Sequence, residues 1–278
     1  MKIDLEDFIQ NAISDFEAEN GISNMWKPPL VSAIPANHPL LPSLKQIATG
    51  DHLLPEELLP GAKSVVVFFV PFDDRIIESN IKGEAASREW ANAYVITNKL
   101  LAFIGDELEN RLIHFSDKIS SLPGKEAAGF QIAKIKATHN FDKNTLLSRW
   151  SHRHIAWIAG LGTFGINNML ITEKGCCGRL GSLVTNVECG IFISSNSGAI
   201  KPVPEKCLFK INGSCGLCRE RCPIGAHNEI GSFKRHDCYE ICLKNSELHH
   251  EIGHADICGK CLVGLPCSIA DPSISARK

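Results

Sequence analysis

The chain has 278 residues, of which 44% are hydrophobic and 22% are charged, and its formal net charge is −2. This length allows one or two domains with a real core, and the composition is that of an ordinary globular protein. The near-neutral charge excludes a global basic field that would draw the chain onto nucleic acid or anionic lipid.

Three elements are predicted in the first 112 residues. Residues 1–60 indicate an N-terminal helix followed by a proline-rich, loop-rich stretch. The run AKSVVVFFVPF, at 62–72, is an unbroken series of mostly β-branched and aromatic residues, which predicts a strand buried on both faces. Between Ala85 and Leu112, apolar residues mostly recur at helical spacing and predict a long core helix: they are Trp90, Tyr94, Leu101, Ile104, Leu108 and Leu112.

The middle of the chain predicts a strand and a third helix. The segment FQIAKIKATH, at 130–139, alternates in polarity as a strand does. Asn144 is expected to cap a helix that Gly160 ends. One face of this helix is basic, and it is either solvated or directed toward a bound anion or a partner: its residues are Arg149, His152 and Arg153.

Two strand-like runs follow, at 169–175 and 179–188, and the GCCG turn between them predicts a β-hairpin. From about residue 200 onward, Gly, Pro, Cys and His become frequent and apolar runs shrink. We therefore place a domain boundary near residue 198, which gives domains 1–198 and 199–278. The second domain has too little aliphatic patterning to fold by burial alone, so a metal centre is expected in its core.

The cysteines are clustered in the last third of the chain. All twelve lie between Cys176 and Cys267, whereas cysteines used as small hydrophobic residues would be scattered. The N-terminus has no apolar signal-peptide core and the longest apolar run is far too short to span a bilayer, so we expect a cytoplasmic protein. In that reducing compartment, metal ligation is favoured over disulfides.

The cysteine spacing predicts two [4Fe-4S] clusters. The run SCGLCRERCP resembles a bacterial ferredoxin run in which the first cysteine has moved back from position 212, an Asn, to Cys207. A second series follows downstream, and two-cluster ferredoxins exchange the cysteine that precedes proline between clusters. The first cysteine set is then Cys207, Cys215, Cys218 and Cys267, and the second cysteine set is Cys222, Cys238, Cys258 and Cys261.

Two alternatives remain open at this point. Cys242, four residues after Cys238, can replace it as a ligand. A four-thiolate zinc site made of Cys215, Cys218, Cys258 and Cys261 is the other, but it leaves four cysteines and Pro223 unexplained. The remaining cysteines are interpreted as packing or turn residues: Cys176, Cys177, Cys189 and Cys242.

The sequence resembles the epoxyqueuosine reductases and their relatives, the reductive dehalogenases. The resemblance spans about residues 53–270, and it rests on AGLGTFGINNMLITEKG, GRLGSLVTN, LLPGAKSVVVFFVPF and the cysteine pattern. It implies an α+β protein in which a nitroreductase-like α/β domain that binds cobalamin precedes a ferredoxin-like domain with two [4Fe-4S] clusters. Residues 1–50 match no part of the family.

The resemblance also implies functional residues around a cofactor. Gly160, Gly162 and Gly165 match the AGLG-x-x-G loop beside the corrinoid, where a missing Cβ lets the backbone approach a flat ligand. The structural alternative for these glycines is a helix stop and a tight turn. Asp142 lies near the position of the family's acidic proton donor, and Arg179 is expected among the polar surroundings of the cofactor.

The function that follows is an iron–sulfur oxidoreductase that passes electrons through two clusters to a cofactor, either a corrinoid or a flavin. The alternative is a non-catalytic electron-transfer or corrinoid-activating partner protein. Expected partners are an electron donor such as ferredoxin or flavodoxin and a small-molecule or corrinoid-protein acceptor. The net charge of −2 and the lack of the family's C-terminal extension after the last cysteine disfavour transfer RNA as the substrate.

Overall fold

The computed structural model describes residues 2–120, 129–135, 141–193, 203–227 and 231–276. Within these ranges the chain is a mixed α and β protein, as predicted. The helices are α1 Leu5–Asn20, α2 Leu44–Ile47, α3 Pro55–Leu58, α4 Asp74–Ser79, α5 Arg88–Ser120, α6 His152–Ile158, α7 Leu208–Asn212, α8 Leu217–Glu220, α9 Arg235–Leu248 and α10 Ser273–Ala276. The strands are β1 Ile3–Asp4, β2 Leu30–Pro35, β3 Ser64–Pro71, β4 Ile132–Lys134, β5 Gly162–Phe164, β6 Leu170–Thr172, β7 Gly178–Thr185 and β8 Phe192–Ile193.

The central sheet is antiparallel, with the strand order β2-β3-β7-β4. Two short pairs flank it among the described residues, the antiparallel pair β5-β6 and the parallel pair β1-β8. The strand β2 lies in the proline-rich region where the sequence indicates only loops, and it pairs with β3 along its whole length.

Both faces of β3 are buried, which confirms the prediction from its unbroken apolar run. Val66, Phe68 and Val70 face one core, which α1 and α5 cover. Val65, Val67 and Phe69 face the other, which α6 and the residues around Trp150 cover. A strand that is covered on both sides is continuously apolar, because its side chains alternate between two faces and both faces pack against a hydrophobic core.

The long helix is confirmed as α5, a helix of 33 residues. Its predicted apolar stripe is buried, from Trp90 at 1% exposure to Leu112 at 1%. The core that it helps to form also contains Cys207 and Val263, so the C-terminal segment packs directly on the N-terminal part. The boundary predicted near residue 198 lies outside the described residues.

Two sequence predictions are wrong. The helix expected from Asn144 begins only at His152, because Asp142 forms a turn over 142–145 and the Oγ of Ser151 accepts from the His154 amide. The hairpin expected from 169–175 and 179–188 does not form, because β6 pairs with β5 while β7 pairs with β3 and β4.

Two further observations concern the fold as a whole. The strand predicted at 130–139 is present as β4, and residues 136–140 of that segment lie outside the described residues. In the part of the chain that the structure describes, no helix is both long and apolar enough to cross a bilayer.

Candidate functional site

The first cysteine set, Cys207, Cys215, Cys218 and Cys267, comes together in space. All four residues line one small cavity beside the loop that follows β5. Burial, followed by the charges of the three other cysteines, raises the pKa of the Cys218 thiol to about 12. Thiolates packed this closely repel one another unless a cation lies between them.

Cys207 is held by a polar network at the end of its loop. The carboxylate of Glu205 accepts from the Cys207 amide at 2.9 Å and from the Thr163 hydroxyl at 2.9 Å. The helix α7 follows and ends at Gly213, whose φ of +74° lies in the left-handed region that favours glycine. This short helix and its glycine end return the chain toward Cys215.

The second cysteine set, Cys222, Cys238, Cys258 and Cys261, is a separate neighbourhood. The thiol pKa values of Cys258 and Cys261 are raised by burial and then by the charges of the other cysteines of the set, and Cys218 of the first set also acts on Cys261. Cys222 follows α8 in the chain yet lies with this set rather than with Cys215 and Cys218. Cys267 therefore has its neighbours in the first set and Cys222 in the second, and the crossed ligation of two clusters stays a prediction.

The N-terminal part of the chain positions the loop that carries Cys258 and Cys261. The side-chain amide of Asn80 donates to the Cys258 carbonyl at 2.9 Å, and that of Asn167 donates to the Cys261 carbonyl at 2.7 Å. Gly259 packs against the indole of Trp90, where an added Cβ would lie 2.5 Å from ring atoms. This loop is therefore fixed from outside its own segment.

Two of the remaining cysteines pack beside the first cysteine set. Cys176 and Cys177 are buried, and the Cys176 amide donates to the Cys267 carbonyl at 2.9 Å. A hydrogen bond between the Cys176 and Cys267 side chains raises the pKa of the Cys267 thiol. The turn between β6 and β7 therefore supports Cys267 directly, beyond the packing role that the sequence suggests.

Cys238 and Cys242 lie one turn apart on α9 and their thiols form a hydrogen bond. That bond lowers the pKa of the Cys238 thiol to about 7 and raises the pKa of Cys242. Of the two, Cys238 has the more readily ionised thiol, and its charge acts on both Cys258 and Cys261, which supports it as the member of the second cysteine set; Cys258 also acts on Cys242.

A large cavity of about 790 Å³ opens beside α9. Its volume lies in the upper part of the range for small-molecule and cofactor sites. The wall is formed by α5, α6, β7, α9 and the loops at 141–151 and 164–169. Both Cys238 and Cys242 lie on this wall, so the second cysteine set adjoins the cavity.

One side of the large cavity carries a linked group of polar side chains. Arg179 places its guanidinium carbon 4.2 Å from the centre of the Tyr94 ring and donates to Asn98 at 2.8 Å. The Tyr94 hydroxyl donates to the carboxylate of Asp256 at 2.7 Å. Burial raises the pKa of Tyr94 to about 12, so this hydroxyl is a hydrogen-bond donor at neutral pH.

The opposite side contains the imidazoles of α6. His152 and the indole of Trp150 both hydrogen-bond to the Ser182 hydroxyl, at 2.7 and 2.9 Å. Burial, followed by the charge of Arg153, lowers the pKa of His154 to about 4, so its ring is neutral at pH 7. Arg153 also lies on the cavity wall, whereas Arg149 does not.

Of the residues predicted to surround a cofactor, Arg179 lies on the wall and Asp142 lies beside it. The neighbours of Asp142 on its turn, Phe141 and Leu146, line the cavity. The Asp142 carboxylate accepts from the Thr145 amide at 2.7 Å, and this bond is the main cause of its lowered pKa. As a proton donor Asp142 stays a prediction.

The three predicted glycines lie away from the wall of the large cavity. Gly162 is in β5, where an added Cβ would be 2.2 Å from the Ile171 carbonyl oxygen of β6. Gly165 lines the small cavity of the first cysteine set, and Gly160 adopts a φ of +78° after α6. At Gly162 the missing Cβ allows β5 to pack closely on β6, and at Gly160 glycine allows the positive φ of the turn after α6. A cofactor role for the three glycines stays a prediction.

Sequence reasoning missed four residues on the cavity walls, namely Tyr94, Asn167, Arg235 and Asp256. Tyr94 is read as a core residue because it belongs to the apolar stripe of α5. Asn167 lies inside AGLGTFGINNML, and it lines both cavities. Arg235 and Asp256 lie among the cysteines of the second set in sequence. The only sequence signal for them is that each is a charged residue two or three positions before a predicted ligand.

Comparison with known proteins supports the fold. No family model matches the chain, and no curated protein matches its sequence. The solved structure of epoxyqueuosine reductase from Bacillus subtilis, with its catalytic loop swung out of the active site, is similar over 98% of this chain and 71% of that chain, with a TM-score of 0.50 and 16% identity. A second similar structure is epoxyqueuosine reductase from Streptococcus thermophilus, with a TM-score of 0.48 and 15% identity over 96% of this chain and 70% of that chain. A third is an epoxyqueuosine reductase with a tRNA-Tyr epoxyqueuosine-modified tRNA stem loop, with a TM-score of 0.49 and 17% identity over 98% of this chain and 71% of that chain.

Proposed function

We propose that this chain, which has an epoxyqueuosine reductase-like fold, is an iron–sulfur oxidoreductase with two [4Fe-4S] clusters and a cofactor site in the large cavity. The observation that carries the proposal is the position of Cys238, which belongs to the second cysteine set and also lies on the wall of the 790 Å³ cavity. Cysteine ligands beside a cofactor-sized cavity are the arrangement that electron delivery to that cavity requires.

The residues that would hold the clusters are the two cysteine sets. Burial and the charges of neighbouring thiols raise the pKa of Cys218 in the first set and of Cys258 and Cys261 in the second, which is the chemistry of a donor set that needs metal cations. The Cys222 sulfur also accepts a hydrogen bond from the Ala226 amide at 3.2 Å, and such bonds to ligand sulfurs tune cluster potentials.

A single zinc ion is the weaker interpretation. Its expected ligands divide between the two neighbourhoods, because Cys215 belongs to the first cysteine set and Cys258 to the second. Among the described residues, no three His, Cys, Asp or Glu side chains are arranged around one ion position. Cluster ligands need no such arrangement, since each cysteine of a cubane binds a different iron atom.

A corrinoid is the cofactor that we propose for the large cavity, with flavin as the alternative. When bound, the clusters would supply a one-electron relay and the corrinoid a reducible cobalt centre. The chain's own contribution is a wall that combines apolar and polar groups: Phe164 and Met169 offer apolar contact, and Arg179, held over the Tyr94 ring, offers a fixed positive charge.

The proposed domain arrangement is a nitroreductase-like part followed by a ferredoxin-like part. The packing of Gly259 on Trp90 and the bonds from Asn80 and Asn167 support a rigid attachment between them. A fixed distance between relay and cavity favours electron transfer within one chain. The alternative, a partner protein without a cofactor of its own, leaves the large cavity unexplained.

The partners stay proposals. We propose ferredoxin or flavodoxin as the electron donor and a small molecule or a corrinoid protein as the acceptor. That transfer RNA is not the substrate stays a prediction, which a binding measurement with an unmodified anticodon stem loop decides.

The experiment is a titration of the anaerobically purified chain with cob(II)alamin and, separately, with FMN, followed by gel filtration and an absorption spectrum. We expect a spectral change and retained corrinoid near one equivalent per chain. Retention of neither cofactor would contradict the cofactor site and would leave the partner-protein alternative.

A further inference from the structure

Three arginines from three separate elements converge on the large cavity. Arg153 comes from α6, Arg179 from β7 and Arg235 from α9, and each is partly buried. Elements so distant in the chain rarely bring like charges together by chance, because each guanidinium loses hydration in the fold. The arrangement therefore needs a compensating interaction.

None of the three arginines forms an ion pair with a carboxylate of the described residues. Arg153 donates to the Asn168 carbonyl at 2.6 Å. Arg179 donates to Asn98, and its Nε has no hydrogen-bond partner there. Arg235 lies with its guanidinium carbon 5.5 Å from the centre of the Phe233 ring.

The charge of the cavity wall is positive among the described residues. Asp256 is the one carboxylate that they place on the wall, and it already accepts from Tyr94. Three guanidinium charges and one carboxylate charge leave a net charge of +2, and the Cys238 thiolate, which also lies on this wall, reduces it to +1. His154 adds no charge at pH 7, because burial lowers its pKa to about 4.

Arg153 and Arg235 are the two charges that act directly against each other. Burial, and then the charge of Arg235, lowers the pKa of Arg153. Repulsion between two guanidinium groups in a partly dry wall is removed when an oxyanion lies between them. Guanidinium groups suit phosphate in particular, since their planar donors match two of its oxygens.

We propose that Arg153 and Arg235 form an anion site in the wall of the large cavity, and that this site takes a phosphate group of the bound ligand. The phosphate has two possible sources, the phosphodiester of a corrinoid's nucleotide tail or a phosphate of the substrate. Only the corrinoid source rests on the proposed function, because the site itself follows from the arginines alone.

The test compares three variants of the full chain, purified without oxygen: Arg153→Gln, Arg235→Gln and Arg149→Gln. Arg149 is the matched control, because it lies four residues before Arg153, is 3.4 Å from the Asp51 carboxylate and is outside the cavity wall. Binding of inorganic pyrophosphate is measured by calorimetry at low ionic strength. We expect about tenfold weaker binding for each of the first two variants and no change for the control.

A corrinoid pair distinguishes the source of the phosphate. Cob(II)alamin contains the phosphodiester tail and cob(II)inamide lacks it. If the first two variants weaken the binding of pyrophosphate and of cob(II)alamin but not of cob(II)inamide, the phosphate belongs to the cofactor. If they weaken the binding of pyrophosphate and of neither corrinoid, it belongs to the substrate. Should the unchanged chain bind no corrinoid, the cofactor assignment fails while the pyrophosphate measurement still decides the anion site.

Pyrophosphate binding that is absent in the unchanged chain, or equal in all three variants, would overturn the inference. Iron content and the melting temperature show that each variant is folded. If Arg153→Gln does not fold, Arg153→Lys and Arg235→Gln replace it, since the lysine keeps the charge but loses the paired donors. We then expect an intermediate loss of affinity for Arg153→Lys.

Discussion

The Arg179 guanidinium lies over the Tyr94 ring, with its central carbon 4.2 Å from the ring centre. The contact joins β7 to α5 at the wall of the large cavity, and the Tyr94 hydroxyl extends it to Asp256. A cation held over a buried aromatic ring is stabilised by the ring's negative face. Arg179 therefore lies at the cavity wall and forms no ion pair with a carboxylate of the described residues.

The first prediction concerns the ionisation of Tyr94. Its pKa is raised from about 10 to about 12, mainly by burial, so the neutral form stabilises the fold below pH 10 and that stabilisation is lost as the pH rises from 10 to 12. The sequence has two tyrosines, so Tyr239→Phe leaves Tyr94 alone. In that variant, ¹³C NMR of labelled tyrosine should give a midpoint near 12; a midpoint near 10 would show an open, solvated ring.

The second prediction separates Cys238 from Cys242. We expect Cys238→Ser to lose about half of the iron, about four atoms of eight, because it removes a ligand of one cubane. Cys242→Ser should retain all of it, because its thiol contacts Cys238 rather than completing the set. Iron and sulfide analysis with electron paramagnetic resonance checks both variants. The opposite pattern would identify Cys242 as the ligand.

The third prediction tests what the AGLG-x-x-G glycines do. Gly162→Ala places a Cβ 2.2 Å from the Ile171 carbonyl oxygen, and rigid backbone must move to accept it. We expect a loss of about 1–3 kcal/mol and a melting temperature lower by several degrees. Gly50→Ala is the control, since nothing lies within 4 Å of its added Cβ. Equal melting temperatures for both variants would mean that the β5-β6 pair is looser than the structure indicates.

The fourth prediction concerns the ion pair between Lys206 and Asp271, which joins the start of the C-terminal segment to its end. The two side chains are 11% and 6% exposed. Asp271→Asn leaves a buried lysine unpaired and should cost about 3–5 kcal/mol, whereas replacing both partners by Met and Leu should cost much less. The exposed pair Lys45–Glu57 provides the control, and Lys45→Met should cost under about 1 kcal/mol. A melting temperature for Asp271→Asn equal to that of the control would refute the role of this pair.

The sequence predicts well where local pattern and global fold agree. The run at β3 is apolar from Val65 to Val70 because both of its faces are covered, and the stripe of α5 fits one face of a long helix. The cysteines of the first predicted set line one cavity and those of the second act on one another, while their role as cluster ligands stays a prediction.

Other features depend on contacts between distant segments. The runs at β6 and β7 have the pattern of a hairpin. Instead, β7 pairs with the longer apolar strand β3, and β6 pairs with β5. The helix predicted from Asn144 does not begin before His152, because Leu146 adopts a positive φ of 53° that interrupts a helix there. The large cavity cannot be predicted from sequence, because Arg153 and Arg235 meet only after α6 and α9 have packed.

The central claim is that eight cysteines in two crossed sets hold two cubanes. Iron and acid-labile sulfide, measured per chain on protein purified without oxygen, test it most directly. The account predicts about eight of each. A folded, colourless chain with neither iron nor sulfide would contradict it.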